Sequence, residues 1–448
     1  MDYQSFKNAV VAKCEAMGIT EYELYYQSGS STSIDTFRHE INEFSASESG
    51  GVCFRCIVGG KMGYASTEEL SLEQAAAIVE KAADNASVLE AEEAVFLCEG
   101  GKTYTPLEQN TYDLPATEEL ISTALAVEQQ LYAVDEAVID GTQASVFSER
   151  SELAICNSKG LDLYYENNAA GLVAVAVVTN GTEMSNDYQI KVGRLDTMDT
   201  KAMTDKAVAT AKQKLGGDVP PTAVCPVVFS PEAMCSLLSV FSGVFSSEAA
   251  QKGLSRFADK EGQQVAAPCV TLVDDPFHKE NPAPINFDAE GCPTKVKQVI
   301  ENGKLMTLLY NMKTAAVAGR ETTGNASKAG YDSPVGVRPF TMYLAGGDCT
   351  EEELLEKAGN GVYINDLSGL HAGANPISGD FSLQSAGFLI RDGKKGDFVK
   401  SFTVAGNFYD LLNQIIHVSN KVVLPSAFGM HTFGSPSVLV DKLSIAGK

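Results

Sequence analysis

The sequence predicts an α+β protein with two domains, and two observations lead to this fold class. In the first half, stretches with helical spacing of apolar residues alternate twice with stretches of period two. In the second half, short apolar runs are separated by Gly, Pro and Asn, as in β-rich domains. With 448 residues, 44% of them hydrophobic, the chain can form two large cores. We therefore expect an N-terminal domain of antiparallel strands flanked by helices, followed by a β-rich C-terminal domain.

Local signals predict the same order of elements twice in the first half. Gly59-Gly60 is expected as a hairpin turn, and Ser66 or Thr67 as the N-cap of the next helix. Each set consists of a helix, antiparallel strands and a second helix, so we expect one α+β unit to be duplicated. The expected elements are a helix over 2–17, strands between 22 and 65, helices over 68–86 and 117–133, strands within 136–180, and a helix over 200–215, with a loop over 89–115.

The main domain boundary is expected at residues 216–221, where Gly-Gly-Asp-Val-Pro-Pro cannot continue a helix. The predicted domains are therefore 1–217 and 222–448. At the start of the second domain, a strand over 225–229 leads into a helix with Ser230 as N-cap and Pro231 at its first position. The remainder from 265 onward is expected to consist mostly of short strands, with helices near 350–358 and 407–416.

Composition excludes several classes of protein. Lys+Arg number 34 against Asp+Glu 58, which gives a net charge of −24. Such a surface repels phosphate backbones, so direct nucleic-acid binding is not expected. No apolar run approaches the ~20 residues that cross a bilayer, and the first residues lack the apolar stretch of a signal peptide. The ten scattered cysteines are expected to be reduced thiols, which favours a cytoplasmic protein.

The residues alone offer no catalytic or metal-binding constellation. Cys53 and Cys56 have redox spacing, but in a strand residues three apart face opposite sides, so we expect buried structural thiols. His39-Glu40 lacks a second His one turn later and is expected at a solvated strand edge. The five histidines are far apart in sequence. We therefore assign no catalytic residue and no metal ligand from the residue pattern.

The C-terminal half nevertheless carries a series of motifs whose order and spacing resemble the TldD/TldE family, also called PmbA or modulator of DNA gyrase. The N-terminal stretch from Ser49-Gly50-Gly51 to Tyr64-Ala65-Ser66 also fits this family. The C-terminal motifs are Phe287-Asp288-Ala289-Glu290-Gly291-Cys292-Pro293-Thr294, Ile300-Glu301-Asn302-Gly303, Thr323-Gly324-Asn325-Ala326, Ile377-Ser378-Gly379-Asp380-Phe381-Ser382, Gly387-Phe388-Leu389-Ile390-Arg391-Asp392-Gly393, Val404-Ala405-Gly406-Asn407 and Gly434-Ser435-Pro436-Ser437.

The resemblance implies a cytoplasmic zinc peptidase made of a TldD and a TldE chain, which degrades unfolded peptides and matures peptide precursors. The TldD chain carries His-Glu-x-x-x-His on a helix of its second domain and a Cys near its C-terminus. Here Leu238, Ser239 and Gly243 stand at the motif positions, and none of them can bind zinc or act as a base. The segment from Pro425 to Ser437 contains Phe428, His431 and Thr432 but no Cys.

This pattern is similar to TldE, the subunit without metal. The resemblance therefore implies a non-catalytic chain that binds no cofactor, with zinc in a TldD-like partner. Small or apolar replacements are consistent with such a chain, because ligands left without zinc would be buried and unpaired. The chain would complete the chamber and hold extended peptide at a sheet edge, for which the strand-rich part over 265–448 is the expected place. An isolated chain could form a homodimer.

Two alternatives remain open from the sequence. The chain could be an autonomous metallopeptidase with an atypical site, for example one built from His278, His371 or His431. It could also be a stand-alone peptide-binding or scaffold protein without a protease partner. The physiological substrate and the interface residues are not specified by the sequence.

Overall fold

The computed structural model describes residues 1–89, 95–425 and 431–448, and it confirms the α+β class and the architecture expected from the sequence. In the N-terminal half the order helix, three strands, helix occurs twice, so the expected recurrence is present. The elements are α1 (Tyr3–Met17), β1 (Tyr22–Phe37), β2 (Glu40–Val58), β3 (Lys61–Thr67), α2 (Leu72–Val88), α3 (Thr117–Val134), β4 (Gln143–Asn157), β5 (Asp162–Thr179), β6 (Met184–Gly193) and α4 (Thr200–Gln213).

The six N-terminal strands form one antiparallel sheet in the order β3-β2-β1-β4-β5-β6. The first strands of the two units, β1 and β4, pair at the centre, so the third strands, β3 and β6, lie at the two edges. Helices α1 and α2 cover the first unit, and α3 and α4 cover the second, each over its own apolar core. The duplication thus places equivalent strands at opposite ends of one sheet.

Two details of the N-terminal prediction are corrected by the structure. The helix predicted over 68–86 starts later, because Ser71 is its N-cap and Thr67 pairs with Val52 in the sheet. His39 lies with Arg38 in the turn between β1 and β2, where both have positive φ, and not at a strand edge. The hairpin turn at Gly59-Gly60 is confirmed, with φ of 58° and 77°.

The second half contains more and longer strands than the sequence indicates, since β15 and β16 have 12 and 14 residues. Helix α5 begins after Ser230 as expected. The elements are β7 (Ala223–Phe229), α5 (Pro231–Phe241), α6 (Ser247–Gln251), β8 (Leu272–Asp274), β9 (Lys297–Glu301), β10 (Lys304–Leu305), α7 (Met312–Val317), β11 (Ala326–Ser327), β12 (Gly336–Val337), β13 (Thr341–Leu344), α8 (Glu351–Ala358), β14 (Gly361–Ser368), α9 (Leu370–Gly373), β15 (Asp380–Arg391), β16 (Lys394–Asn407), α10 (Phe408–Gln414), β17 (Ile415–Val418), β18 (Thr432–Gly434) and β19 (Val438–Ala446).

Three sheets organise the described part of the C-terminal half. A six-stranded sheet has the order β16-β15-β14-β7-β19-β17, and an additional pairing of β16 with β19 closes it on itself. A five-stranded sheet has the order β10-β9-β8-β13-β18, and β11 and β12 form a short pair. Helix α5 packs its apolar face into the large core between these sheets.

A separate apolar cluster joins the two halves. It combines Tyr25, Leu153 and Tyr165 of the N-terminal sheet with Ile285 and Phe287 of the C-terminal half. We keep 1–217 and 222–448 as proposed domain limits, because each half has its own cores besides this shared one. Within the described ranges, none of the helices is both long enough and apolar enough for a membrane span.

Candidate functional site

The three positions assigned to a degenerate metal motif do not all face the same space. Leu238 is fully buried in the core below α5, whereas Ser239 and Gly243 are exposed. A Cβ at Gly243 would meet no atom within 4 Å. Positions 239 and 243 therefore have room for larger side chains, but position 238 points into the core. The assignment of this triplet stays a prediction.

The exposed face of α5 lines a cavity of about 350 Å³. The helix contributes Glu232, Cys235, Ser236 and Ser239, and the segment at the start of β18 lies opposite. That segment brings His431, Thr432 and Phe433 to the cavity. Phe428, which the sequence placed in the same region, lies outside the described residues. The structure thus brings Ser239 and His431 to one cavity, as the resemblance implies for the motif helix and the C-terminal segment.

His431 uses both of its ring nitrogens in hydrogen bonds. Its Nδ1 lies 2.7 Å from the carbonyl oxygen of Pro339, which can only accept, so Nδ1 carries the proton. Its Nε2 lies 3.2 Å from Ser327 Oγ and therefore accepts from that hydroxyl. Burial lowers the pKa of His431, although the Pro339 carbonyl opposes this shift. Both ring nitrogens are thus engaged within the protein.

The remaining donor side chains at this cavity are Cys235 and Glu232. Burial raises the pKa of the Cys235 thiol, which favours its protonated form. Over residues 1–89, 95–425 and 431–448, no group of three or more His, Cys, Asp or Glu side chains could hold a metal ion. The alternative site built from His278, His371 and His431 is therefore not assembled in this part of the chain. Absence of bound zinc in solution remains a prediction.

The α5 cavity is one section of a longer groove between the N-terminal sheet and the C-terminal half. Cavities of about 610 Å³ and 560 Å³ adjoin it. Pro425 lines one wall of all three cavities, and Tyr188, Ile190 or both line the other wall, on β6. We call this space the β6 groove. The strands predicted from the sequence extend only to residue 180 and do not include β6, although Tyr188, Ile190 and Val192 alternate with polar residues there.

One side of β6 directs main-chain hydrogen-bonding groups into the groove. In an antiparallel ladder both polar groups of a residue point to the same neighbour, and the direction alternates along the strand. Thr179 N–H donates to the Ala137 carbonyl and Ile139 N–H to the Val177 carbonyl, so these two β5 residues point away from β6. Val178, which lies between them, directs its N–H and C=O toward β6. Its partner Ser185 therefore directs its own N–H and C=O toward β5.

The register then assigns each β6 residue to one side. Ser185, Asp187, Gln189 and Lys191 bond to β5, and the residues between them direct N–H and C=O outward. Among the described residues, the outward groups of Ile190 and Val192 have no hydrogen-bond partner. β6 therefore presents a free edge along the groove.

Side-chain amides lie next to this free edge with one end unpartnered. Asn168 Nδ2 donates to the Tyr112 carbonyl at 2.8 Å, while Asn168 Oδ1 is buried without a protein partner. Asn281 Oδ1 accepts from Ala283 N–H at 3.0 Å, while Asn281 Nδ2 is buried without one. Both line the section of about 560 Å³. Asn365 Oδ1, also unpartnered, lines the opposite section.

Sequence reasoning missed these amides, although one signal was available. Asn167-Asn168 directly precede the apolar run over 169–178 of β5, and a buried amide in a strand requires partners. Chemically, the groove can donate to and accept from an extended chain through β6 and the amides. The Ser327 hydroxyl donates to His431 at this groove, but Ser327 is not one of the residues that line the α5 cavity.

Four relatives are known by name or by structure. A "Metalloprotease PmbA" of Escherichia coli is 24% identical over 93% of this chain and 90% of its own length. A "Metalloprotease" of Methanothermobacter thermautotrophicus is 28% identical over 87% and 86%. A solved Thermotoga maritima structure, named for modulation of a DNA gyrase, has a TM-score of 0.90 and 29% identity, covering 99% and 100% of the two chains.

The solved structure of TldE from Thermococcus kodakarensis has the same fold, with a TM-score of 0.88 at 24% identity over 98% and 99% of the chains. Family models match most of the sequence: PmbA/TldA metallopeptidase domain 1 at residues 22–86, the central domain at 112–215 and the C-terminal domain at 222–447. These matches follow the two N-terminal units and the β-rich half in order, and the chain therefore belongs to the PmbA/TldD metallopeptidase family.

Proposed function

We propose that this chain is the non-catalytic, TldE-like subunit of a two-chain zinc peptidase that degrades or matures peptides. In this proposal a TldD-like partner holds the zinc ion and performs the hydrolysis. This chain closes the chamber and holds the peptide in extended form in the β6 groove. The observation that carries the proposal is a free strand edge beside a helix whose exposed face offers no metal ligand set.

The chemistry of α5 supports the absence of catalysis in this chain. A zinc peptidase needs three protein ligands and a base near an open metal position. The α5 cavity provides one imidazole, and both nitrogens of His431 are already used. Its thiol, Cys235, is buried. A peptide beside α5 would therefore meet hydroxyl and apolar side chains and the Glu232 carboxylate, but no set of three metal ligands among the described residues.

The free edge of β6 supports the holding of extended peptide. An added strand would satisfy the outward N–H and C=O groups of Ile190 and Val192. Main-chain pairing of this kind depends little on side-chain identity, which suits a complex that processes varied peptides. The edge belongs to the N-terminal sheet, so the proposal moves the peptide site away from residues 265–448, where the sequence placed it.

Other features fit the proposed setting. All ten cysteines are unpaired thiols, as expected for the cytoplasm. The net charge of −24 favours neutral or basic partners and disfavours direct contact with DNA. In the absence of a TldD-like chain, we propose that the same surface allows a homodimer.

The decisive experiment measures hydrolysis of casein and of a flexible peptide by this chain, by a TldD-like chain from the same host, and by both together. We expect full activity only in the mixture, and loss of activity when the zinc ligands of the partner are replaced. His431→Gln in this chain should leave the activity of the mixture in place. Stoichiometric zinc and activity in this chain alone would instead establish the autonomous metallopeptidase, and failure to associate would favour a stand-alone binding protein.

A matched pair of proline variants tests the role of β6 in the same assay. Ile190→Pro removes an outward N–H and leaves the pairing of β6 with β5 in place, so the fold should be retained while activity of the mixture falls. Lys191→Pro removes a group that bonds to β5 and should destabilise the chain by about 3 kcal/mol. Full activity of a folded Ile190→Pro mixture would contradict peptide pairing at this edge.

A further inference from the structure

We propose that the section of the β6 groove next to Val192 is a subsite for the carboxyl terminus of an extended peptide. This inference rests on the proposed function and adds to it which end of the peptide is held, and where. Three independent features of the section support it: the buried amides, the end of the free edge and the charge of the lining.

The two amides offer one acceptor and one donor to the same space. Asn168 and Asn281 are 8% and 6% exposed, so each is nine-tenths buried, and each is oriented by a hydrogen bond at its other end. Asn110 connects them, since its carbonyl accepts from Asn168 N–H and its Nδ2 donates to the Pro282 carbonyl. One acceptor and one donor match the N–H and C=O of a peptide group.

The free edge of β6 ends in this section. Val192 is its last outward residue, and Gly193, with φ of 147°, follows it. The Gly193 carbonyl accepts from the Tyr112 hydroxyl at 2.9 Å, and the chain then turns into the 3-10 segment Leu195–Thr197. A strand added to β6 cannot continue its pairing beyond this point. The paired segment of the bound peptide therefore ends here.

The charge of the lining selects the carboxyl terminus. Lys191 and Lys279 line the section, and neither has a carboxylate within 4 Å among the residues described. Arg194 is paired with Asp196 at 2.8 Å and lies over the Tyr112 ring. Glu280 is the one acidic residue of this lining. In a chain with net charge −24, such a cationic pocket attracts a carboxylate. A peptide placed this way runs parallel to β6.

Binding of fluorescently labelled peptides to the full chain tests the subsite by anisotropy. One peptide is compared as the free acid, as the C-terminal amide, and as an amide that carries an acidic last side chain. We expect the free acid to bind about tenfold more tightly than both amides. Equal binding of the free acid and the plain amide, or no binding, would overturn the proposal. If the acidic amide binds as tightly as the free acid while the plain amide binds more weakly, the pocket binds any carboxylate. The assignment of this section to the carboxyl terminus of the peptide would then be wrong.

Variants of the pocket separate charge recognition from amide recognition. Lys191→Gln combined with Lys279→Gln should remove the preference for the free acid, while Lys442→Gln on β19, which loses one exposed charge elsewhere, should keep it. Asn281→Ser adds no charge, keeps a hydroxyl that can accept from Ala283 N–H and removes the free amide donor, so binding of all three peptides should weaken about tenfold. Asn85→Ser on α2, whose amide donates to the Tyr64 carbonyl beside β3, is its control. Unchanged affinity in Asn281→Ser would show that water alone satisfies this amide and would exclude its proposed role.

The binding assay and the activity assay fail independently. A free-acid preference without stimulation of a TldD-like partner would keep the subsite and reject the two-chain enzyme. Stimulation without any effect of the free carboxylate would keep the two-chain enzyme and reject the subsite.

Discussion

The two edge strands of the N-terminal sheet, β3 and β6, occupy equivalent places in the duplicated unit but differ in what surrounds them. Each borders a cavity of about 560 Å³ shared with the C-terminal half. Beside β3, the buried charges of Arg55 and Glu23 are paired with each other. Beside β6, Asn168 Oδ1 and Asn281 Nδ2 are buried and have no hydrogen-bond partner among the described residues. Outward main-chain groups without a partner in the described ranges occur on both edge strands. Duplication thus supplied two similar edges that differ in the polar side chains around them.

The β3 side is organised around a buried ion pair. Arg55 on β2 lies 2.7 Å from Glu23 on β1, and both side chains are less than one-tenth exposed. Glu290 from the C-terminal half lines the same cavity, and its carboxylate accepts from Met312 N–H. Burial raises the pKa of Glu290, while Arg55 opposes that shift. The charges therefore join the two halves. Arg55 Nη2 is buried without a hydrogen bond, but it lies 2.7 Å from Glu23 Oε1, so its charge is compensated within the protein.

The largest expected effect comes from breaking this ion pair. Arg55→Met leaves the Glu23 carboxylate buried next to Glu290 without a cation, and we expect the free energy of unfolding to fall by about 3–5 kcal/mol. Urea unfolding followed by circular dichroism measures the change. The double variant Arg55→Met with Glu23→Met removes both charges and should be more stable than the single variant. If it is less stable, the pair is not the dominant interaction on this side.

A smaller loss is expected from a side chain at Gly63 of β3. A Cβ there would lie 1.9 Å from the Ala82 carbonyl oxygen and 2.6 Å from Ala86 N, both on α2. Because both atoms are backbone, they cannot move away individually, and Gly63→Ala should cost about 3 kcal/mol. The control is Gly243→Ala after α5, where a Cβ meets no atom within 4 Å, so thermal unfolding should show no loss of stability.

Local chemistry explains why much of the fold could be predicted. Gly59-Gly60 and Ser230-Pro231 determine a turn and a helix start within a few residues, and both occur as expected. Cys53 and Cys56 belong to apolar clusters on opposite faces of the sheet, as their spacing predicts. Ser66, Thr67 and Ser71 could each act as the N-cap of α2. Thr67 pairs with Val52 in the sheet, so the helix begins after Ser71. That choice depends on the tertiary structure.

The groove could not be predicted in the same way, because its walls come from distant parts of the chain. Ile190, Asn281 and Pro425 meet only after folding, and no local pattern relates them. By contrast, a local pattern was sufficient to predict the direction of Leu238, one of the three positions assigned to the metal motif. Leu238 belongs to the apolar stripe of α5, and this stripe places it in the core, whichever residue a relative has there. Periodicity was the better guide to its direction than the position in a motif.

The smallest predicted effect concerns pH and again concerns the β3 side. Burial, followed by the neighbouring Glu290, raises the pKa of Asp288 to about 7, against three backbone N–H donors that lower it. A carboxyl group with a raised pKa in the folded state binds more protons there than in the unfolded state. The contribution of the Asp288 carboxyl group to the free energy of unfolding is therefore greatest below about pH 4 and decreases as the pH rises toward 7.

Glu290→Gln tests this dependence, since it removes the neighbouring charge and lowers the pKa of Asp288. We expect the decrease in unfolding free energy between pH 5 and pH 7 to be smaller in the variant than in the wild-type chain, by on the order of 1 kcal/mol. Glu321→Gln, which removes one exposed carboxylate elsewhere, should follow the wild-type curve. Because the proposed subsite in the β6 groove uses the ammonium groups of Lys191 and Lys279 together with neutral amides, the affinity for a free-acid peptide should be the same at both pH values. A change in that affinity together with stability would mean that the two edges are coupled and that their separation into a structural and a binding edge is wrong.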